Sequence, residues 1–235
     1  MNLVLLFADD FIDTRRARLT GRRAQHIRTV HHAKVGDTLR VGLLSDQLGT
    51  GAVTHLTDTA VELEVRLDQS PPPPLPLTLL LALPRPKSLK RIVQAVTAMG
   101  VKRVILMNTW RVEKSFWDSP ALAESALRAQ MILGLEQARD TVLPTISLRR
   151  RFKPFVEDEV PELSAGTLAL AAHPFADDEC PRAVEQSVTL AVGPEGGFIP
   201  YEVELFRQHG FRPVSLGPRS LRVEHAVPAL LGRLF

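Results

Sequence analysis

The sequence predicts an α/β fold built on a mainly parallel sheet, preceded by a small all-β part. Three observations carry this. Apolar runs of strand length alternate with helical patterns after residue 77, as in a sheet covered by helices on both sides. Short strands with Gly-rich turns fill about the first 70 residues, which suggests a small β-barrel. Between them stands Pro71-Pro72-Pro73-Pro74-Leu75-Pro76, where consecutive prolines fix φ and make a stiff extended connector. The expected division is residues 1–70, a linker over 71–76 and a second domain over 77–235.

In the first part, Leu3–Ala8 reads as a strand and Arg22–His32 as one short helix. Thr38–Leu44, Ala52–Leu56 and Ala60–Leu67 read as further strands, with turns predicted at Gly36-Asp37 and Gly49-Thr50-Gly51. Val61, Leu63, Val65 and Leu67 share one face of the last strand, with Glu62, Glu64 and Arg66 on the other. After the linker, Leu77–Leu83 is nearly continuous in apolar residues, as a strand buried on both faces would be. A helix capped by Ser88 follows, with Leu89, Ile92, Val93, Val96 and Met99 on one stripe and Gly100 at its end. Arg103–Met107, Thr167–Ala172, Val188–Val192 and Pro213–Leu216 are the next strands. Helices are expected from Ser119-Pro120 to about Ala138, from Pro200 to His209, and from about Leu221 onward, the last kinked or delayed by Pro228.

Hydrophobic residues make up 45% of the 235, enough for a sizeable core, and no window of 18 apolar residues predicts a membrane helix. The opening MNLVLLFADDFID lacks a basic n-region and soon turns acidic, which argues against a secretory signal. The single cysteine, Cys180, leaves no intramolecular disulfide and no Cys-based zinc cluster. A cytoplasmic protein is expected. Net charge is only +3, but eight cations from Arg15 to Arg40 face one acid, Asp37. A second basic stretch runs from Arg85 to Lys114, with Glu113 its only acid. Such clusters neutralise nucleic-acid phosphates or form a solvated face, and charge alone favours neither.

Ligands in open α/β sheets bind beyond the carboxyl ends of the strands. Three such ends stand out: Ala172-His173-Pro174, Gly193-Pro194-Glu195-Gly196-Gly197-Phe198, and Leu216-Gly217-Pro218-Arg219-Ser220-Leu221-Arg222. Their glycines let main-chain groups approach a flat ligand closely. No G-x-G-x-x-G follows a strand, and no Walker A sequence occurs.

GPEGGF followed about twenty residues later by LGPRSLRVEHA resembles the ribosomal RNA small subunit methyltransferase E family of the SPOUT superfamily. His26, Gly36-Asp37 and Glu136-Gln137-Ala138-Arg139 agree with further parts of its pattern, so the resemblance spans essentially the whole chain. It departs at Val30-His31-His32, at Ala98, and at Val223 and His225, where two hydroxyls of the family pattern are absent. The resemblance implies a PUA-like RNA-binding barrel, then a SPOUT domain with a C-terminal trefoil knot that binds S-adenosylmethionine. It also implies a homodimer that methylates N3 of one uridine in small-subunit (16S) ribosomal RNA, on free RNA or in the assembled small subunit, with no membrane partner. The same motifs also suit a SPOUT ribose 2′-O-methyltransferase, and the departures suit an RNA-binding ribosome-assembly protein with impaired catalysis.

Such a reaction is mainly a positioning problem, aided by stabilising charge that spreads onto uracil O2 and O4. Arg222 or Arg219 is expected in that role, with Glu224 orienting the arginine or accepting the proton, or else only pairing with Arg222 to cap the last helix. The expected cofactor contacts are His173, Val192, Gly193, Glu195, Gly196, Gly197, Leu216, Gly217, Ser220 and Leu221. For His173 a purely structural role is the alternative, and for Glu195 an ion pair. Arg16, Arg18, Arg22, Arg23 and Arg28 are expected to grip the RNA backbone. Trp110 and Trp117 offer either base stacking or packing surface. No metal is expected.

Overall fold

The computed structural model describes residues 2–235. The chain divides into two compact units, Met1–Pro73 with Met131–Leu143, and Pro74–Gln130 with Pro144–Phe235. The boundary falls inside the proline run. The return of 131–143 to the first unit has no local sign in the sequence.

The first unit contains β1 (Val4–Leu6), β2 (Arg16–Thr20), α1 (Gly21–Thr29), β3 (Thr38–Leu43), β4 (Leu48–Leu56) and β5 (Ala60–Gln69). They form one five-stranded sheet in the order β1-β3-β4-β5-β2. Only β1 and β3 pair in parallel. Leu6, Leu19, Ile27, Val41 and Leu63 are fully buried at its centre. Segment 131–143 adds Leu135, which packs with Leu3 and Leu5. Strand β2 is missing from the sequence reading because its sequence, RARLT, has only two apolar residues; Ala17 and Leu19 face inward and the arginines outward. Gly49 and Gly51 lie within β4 rather than at a turn. A β-carbon on Gly49 would collide with the Arg66 carbonyl oxygen, and one on Gly51 would press on Val41 and Leu63. These glycines therefore permit close strand packing, while the chain reverses at 44–47, with Ser45 at φ 64°.

The second unit holds β6 (Leu75–Ala82), α2 (Pro86–Ala98), β7 (Val101–Met107), β8 (Thr145–Arg149), β9 (Leu168–Ala172), β10 (Val188–Val192) and β11 (Arg212–Val214). Its sheet has the order β11-β9-β10-β6-β7-β8, and every neighbouring pair is parallel. The expected parallel sheet is present, and all its carboxyl ends lie along one edge. Helix α3 (Glu124–Ala138) spans the boundary between the units. The segment after β8 is helical, with α4 (Phe152–Pro154), a π turn over Phe155–Glu159 and α5 (Val160–Ser164). Helices α6 (Pro200–Gln208) and α7 (Val223–Leu234) complete the unit.

Three details differ from the sequence reading. Helix α2 starts at Pro86, so Ser88 lies buried inside it rather than capping it. Ser119 caps a short 3-10 turn, Pro120–Leu122, and α3 begins at Glu124. Helix α7 continues through Pro228. Among the described residues no helix is long and apolar enough to cross a membrane, and no group of His, Cys, Asp and Glu could hold a metal ion.

Candidate active site

The loops beyond β9, β10 and β11 converge on a cavity of about 290 Å³. Nine of the ten expected cofactor contacts line it: His173, Val192, Gly193, Glu195, Gly196, Gly197, Leu216, Ser220 and Leu221. The tenth, Gly217, lies next to Leu216 at φ 109°, a conformation that favours glycine. The floor is apolar, from Val192, Val214, Val223 and Leu230. A β-carbon at Gly193 would lie 2.9 Å from the Phe198 nitrogen, so only glycine permits this bend. The Gly193–Phe198 loop is fastened from outside. The Arg85 backbone N–H donates to Glu195 Oε1 at 3.0 Å, and the Arg111 guanidinium donates to the Gly196 carbonyl.

Glu202, which the sequence does not single out, braces the surroundings of the cavity. It is only 2% exposed, and its carboxylate accepts the Trp110 N–H at 2.7 Å and the Ile199 N–H at 2.9 Å. One buried side chain thus joins the loop after β7 to the start of α6. The available signal was Pro200 with Glu202 two residues later, the pattern of a helix first turn whose glutamate reaches back to the N-cap amide.

The expected catalytic residues separate. Arg219 lines the cavity, whereas Arg222 is the exposed N-cap residue of α7 and is not part of the lining. The Glu224 side chain turns toward α2: Ser88 Oγ donates to it at 3.1 Å, and Arg91 lies 3.9 Å away. A hydrogen bond from its own backbone N–H, helped by Ser88, holds its pKa below the ordinary value. Glu224 is therefore a weak base with partners on α2. Burial, with Arg207 and Arg111 nearby, lowers the His173 pKa and favours the neutral ring. Its Nδ1 accepts the Phe175 N–H at 3.3 Å. Trp117 is buried, with its indole N–H on Asn108 Oδ1 at 2.8 Å. Trp110 is 80% exposed.

The five arginines expected to grip RNA each have a carboxylate partner. Arg16 pairs with Asp13 at 2.6 Å and Arg18 approaches Glu62 at 4.0 Å, both on the exposed surface. One nitrogen of Arg22 donates to both oxygens of Glu136. Arg28 binds the carbonyl and carboxylate of Asp58. Arg23 is half-buried; it donates to Leu5 O and to both oxygens of Asp10, and lies 4.6 Å from the Phe7 ring centroid. Its duties are thus internal to the first unit. Asp10 and Asp13 stand just before the basic stretch and Asp58, Glu62 and Glu136 lie farther along the chain, so a count from Arg15 to Arg40 overstates the free positive charge.

Residues 71–234 match a family model described as an RNA methyltransferase domain. A ribosomal RNA small subunit methyltransferase E from Treponema pallidum is 30% identical over 209 residues, covering 87% of this chain and 79% of that protein. The chain belongs to the ribosomal RNA small subunit methyltransferase E family. Another family member, from Borreliella burgdorferi, is 28% identical over 62% of this chain and 60% of its own length. The fold also matches a methyltransferase E structure from Neisseria gonorrhoeae bound to S-adenosylmethionine, with TM-score 0.70 and 17% identity over 97% of this chain and 95% of that one. A methyltransferase from Legionella pneumophila with the same bound cofactor gives TM-score 0.69 at 22% identity, over 98% and 96%. In this chain the family's glycine-rich segments are the walls of the cavity just described.

Proposed function

We propose that this methyltransferase E family member transfers a methyl group from S-adenosylmethionine to N3 of one uridine in small-subunit ribosomal RNA. The observation that carries the reading is the convergence of 172–175, 192–197 and 214–221 on one apolar cavity edged by main-chain groups. Those walls would suit the cofactor: apolar side chains for a flat base, main-chain groups of the glycine-rich bends, and the Ser220 hydroxyl. His173, Val192, Gly193, Glu195, Gly196, Gly197, Leu216, Gly217, Ser220 and Leu221 would hold it. When bound, the cofactor supplies an electrophilic methyl group.

The chain's own residues then position the base and favour its anionic form. Arg219 is the arginine on the cavity wall, and its guanidinium donates to a uracil carbonyl oxygen as negative charge collects there. That charge also makes the N3 proton easier to lose to solvent water. Arg222, on the exposed N-cap, meets the approaching RNA strand. Glu224 is a positioning residue that fastens α7 to α2 through Ser88. Arg16 and Arg18 are the two of the five arginines whose exposed, weak ion pairs leave them free to exchange a carboxylate for a phosphate.

The topology supports a C-terminal knot. After edge strand β11 the chain runs through the cavity wall 216–221 and returns as α7 against α2, the helix between the central strands β6 and β7. A PUA-like barrel is supported by the five-stranded, largely antiparallel sheet of the first unit. A homodimer in the cytoplasm completes the reading, and sedimentation of the purified protein tests the dimer. The decisive experiment incubates the protein with labelled S-adenosylmethionine and purified small subunits, and then maps the product. N3-methyluridine supports the reading. A ribose-methylated nucleoside, or cofactor binding without transfer, replaces it.

A further inference from the structure

We propose that the first unit carries a phosphodiester-binding hollow lined by His31, Arg40 and Arg139. The inference rests on the RNA-substrate reading above and adds a site to it. The hollow has a volume of about 270 Å³ and is completed by Asn2, Leu3, Val4, Thr38 and Leu39. No acidic residue lines it. Among the described residues, Arg40 and Arg139 have no carboxylate within ion-pair distance, unlike Arg16, Arg18, Arg22, Arg23 and Arg28. Two of the unneutralised cations of this unit, Arg40 and Arg139, therefore meet in a concave place, whereas Arg15 and Lys34 do not line it.

The backbone brings them together. Strand β1 pairs with β3 with Val4 opposite Val41, which puts Arg40 near Leu3. The Asn2 and Leu3 amides both donate to the Glu136 carbonyl, and Asn2 Nδ2 donates to the Gln137 carbonyl at 2.9 Å. The last turn of α3 is thereby fastened next to β1, and Arg139 emerges from it. His31 follows α1 and stacks edge-on against His26.

Arg139 gives an independent indication. The Asp140 N–H donates to the Leu135 carbonyl, closing α3 with a Schellman motif in which Arg139 occupies the left-handed position at φ 59°. Glycine is the favoured residue there, and a residue with a β-carbon is strained. A guanidinium at this point offers several donors in a rigid fork, as does Arg40, and such forks match the oxygens of a phosphate.

The test titrates purified small-subunit ribosomal RNA against the wild-type protein and the Arg40→Gln/Arg139→Gln double variant over a range of salt concentrations. Losing two phosphate contacts lowers the slope of log affinity against log salt by about 1.4–1.8. Cofactor affinity by calorimetry stays at the wild-type value. A second variant, Arg139→Gly, separates binding from folding: it should melt higher than wild type while binding RNA less tightly. An unchanged slope in the double variant, or unchanged RNA affinity in Arg139→Gly, overturns the hollow as a phosphate site. Weakened binding only to assembled subunits, with naked RNA unaffected, overturns it in favour of a protein contact. If the wild type neither binds this RNA nor methylates small subunits, the functional reading itself fails.

Discussion

Replacing Glu202 by glutamine tests whether one buried carboxylate holds the cavity loops. Both carboxylate oxygens accept main-chain N–H groups, from Trp110 at 2.7 Å and Ile199 at 2.9 Å. The substitution swaps one oxygen for an NH₂ group, so in either orientation a donor faces a donor. One amide is left without its acceptor, at a cost of about 1–3 kcal/mol, and the other bond loses roughly 1 kcal/mol of charge assistance. The sum, about 2–4 kcal/mol, corresponds to a fall in melting temperature of roughly 4–15 °C for a unit of this size. Part of the loss reaches the neighbouring Gly193–Phe198 loop, and each 1.4 kcal/mol lost from binding weakens cofactor affinity about tenfold. Thermal unfolding and calorimetric titration with S-adenosylmethionine measure both effects. Trp110 fluorescence reports the loosened loop, because that residue is exposed while its backbone is tied to Glu202. A Glu202→Gln protein with wild-type melting, emission and cofactor affinity would refute the reasoning.

Other substitutions separate the remaining roles. Arg219→Ala should abolish most methyl transfer in a filter assay while leaving cofactor affinity within a few-fold of wild type, whereas Arg222→Ala should mainly weaken RNA binding. Arg23→Ala leaves the half-buried Asp10 carboxylate with only the Phe7 N–H, so chemical denaturation should show a loss of about 3 kcal/mol. Gly49→Ala forces a side chain against the Arg66 carbonyl and should destabilise the first unit by about 1–3 kcal/mol or more, read from the same curves. The lowered Glu224 pKa contributes stability at pH values above its ordinary 4.5, and that contribution is lost as pH falls through the lower folded value. Acid-unfolding curves of wild type and Glu224→Gln should therefore differ above that window and converge below it.

The second unit is more legible in the sequence than the first, for physical reasons. Strands β6 and β10 are buried on both faces, so they stand out as apolar runs, and the glycines at 193, 196, 197 and 217 mark the bends beyond the strand tips. The cavity was legible for that reason. Strand β2 was hidden by its arginines and β8 by its short, partly exposed pattern. Gly49 and Gly51 suggest a turn because glycine's usual signal is backbone freedom, whereas here the missing side chain matters. Arg219 and Arg222 are equivalent as letters; only the direction of the chain before α7 separates the cavity wall from its outer flank. Ion pairs such as Arg22–Glu136 join residues far apart in sequence and have no local signature.

The split membership of the first unit bears on how it can be made and moved. A fragment ending at the proline run lacks Leu135, the acceptor carbonyl for Asn2 and Leu3, and the carboxylate that receives Arg22. During synthesis the amino-terminal sheet must therefore wait until residue 143 has left the ribosome before its packing is complete. Exchange of this module between relatives would succeed only as a two-piece graft that carries 131–143 along with the first 73 residues.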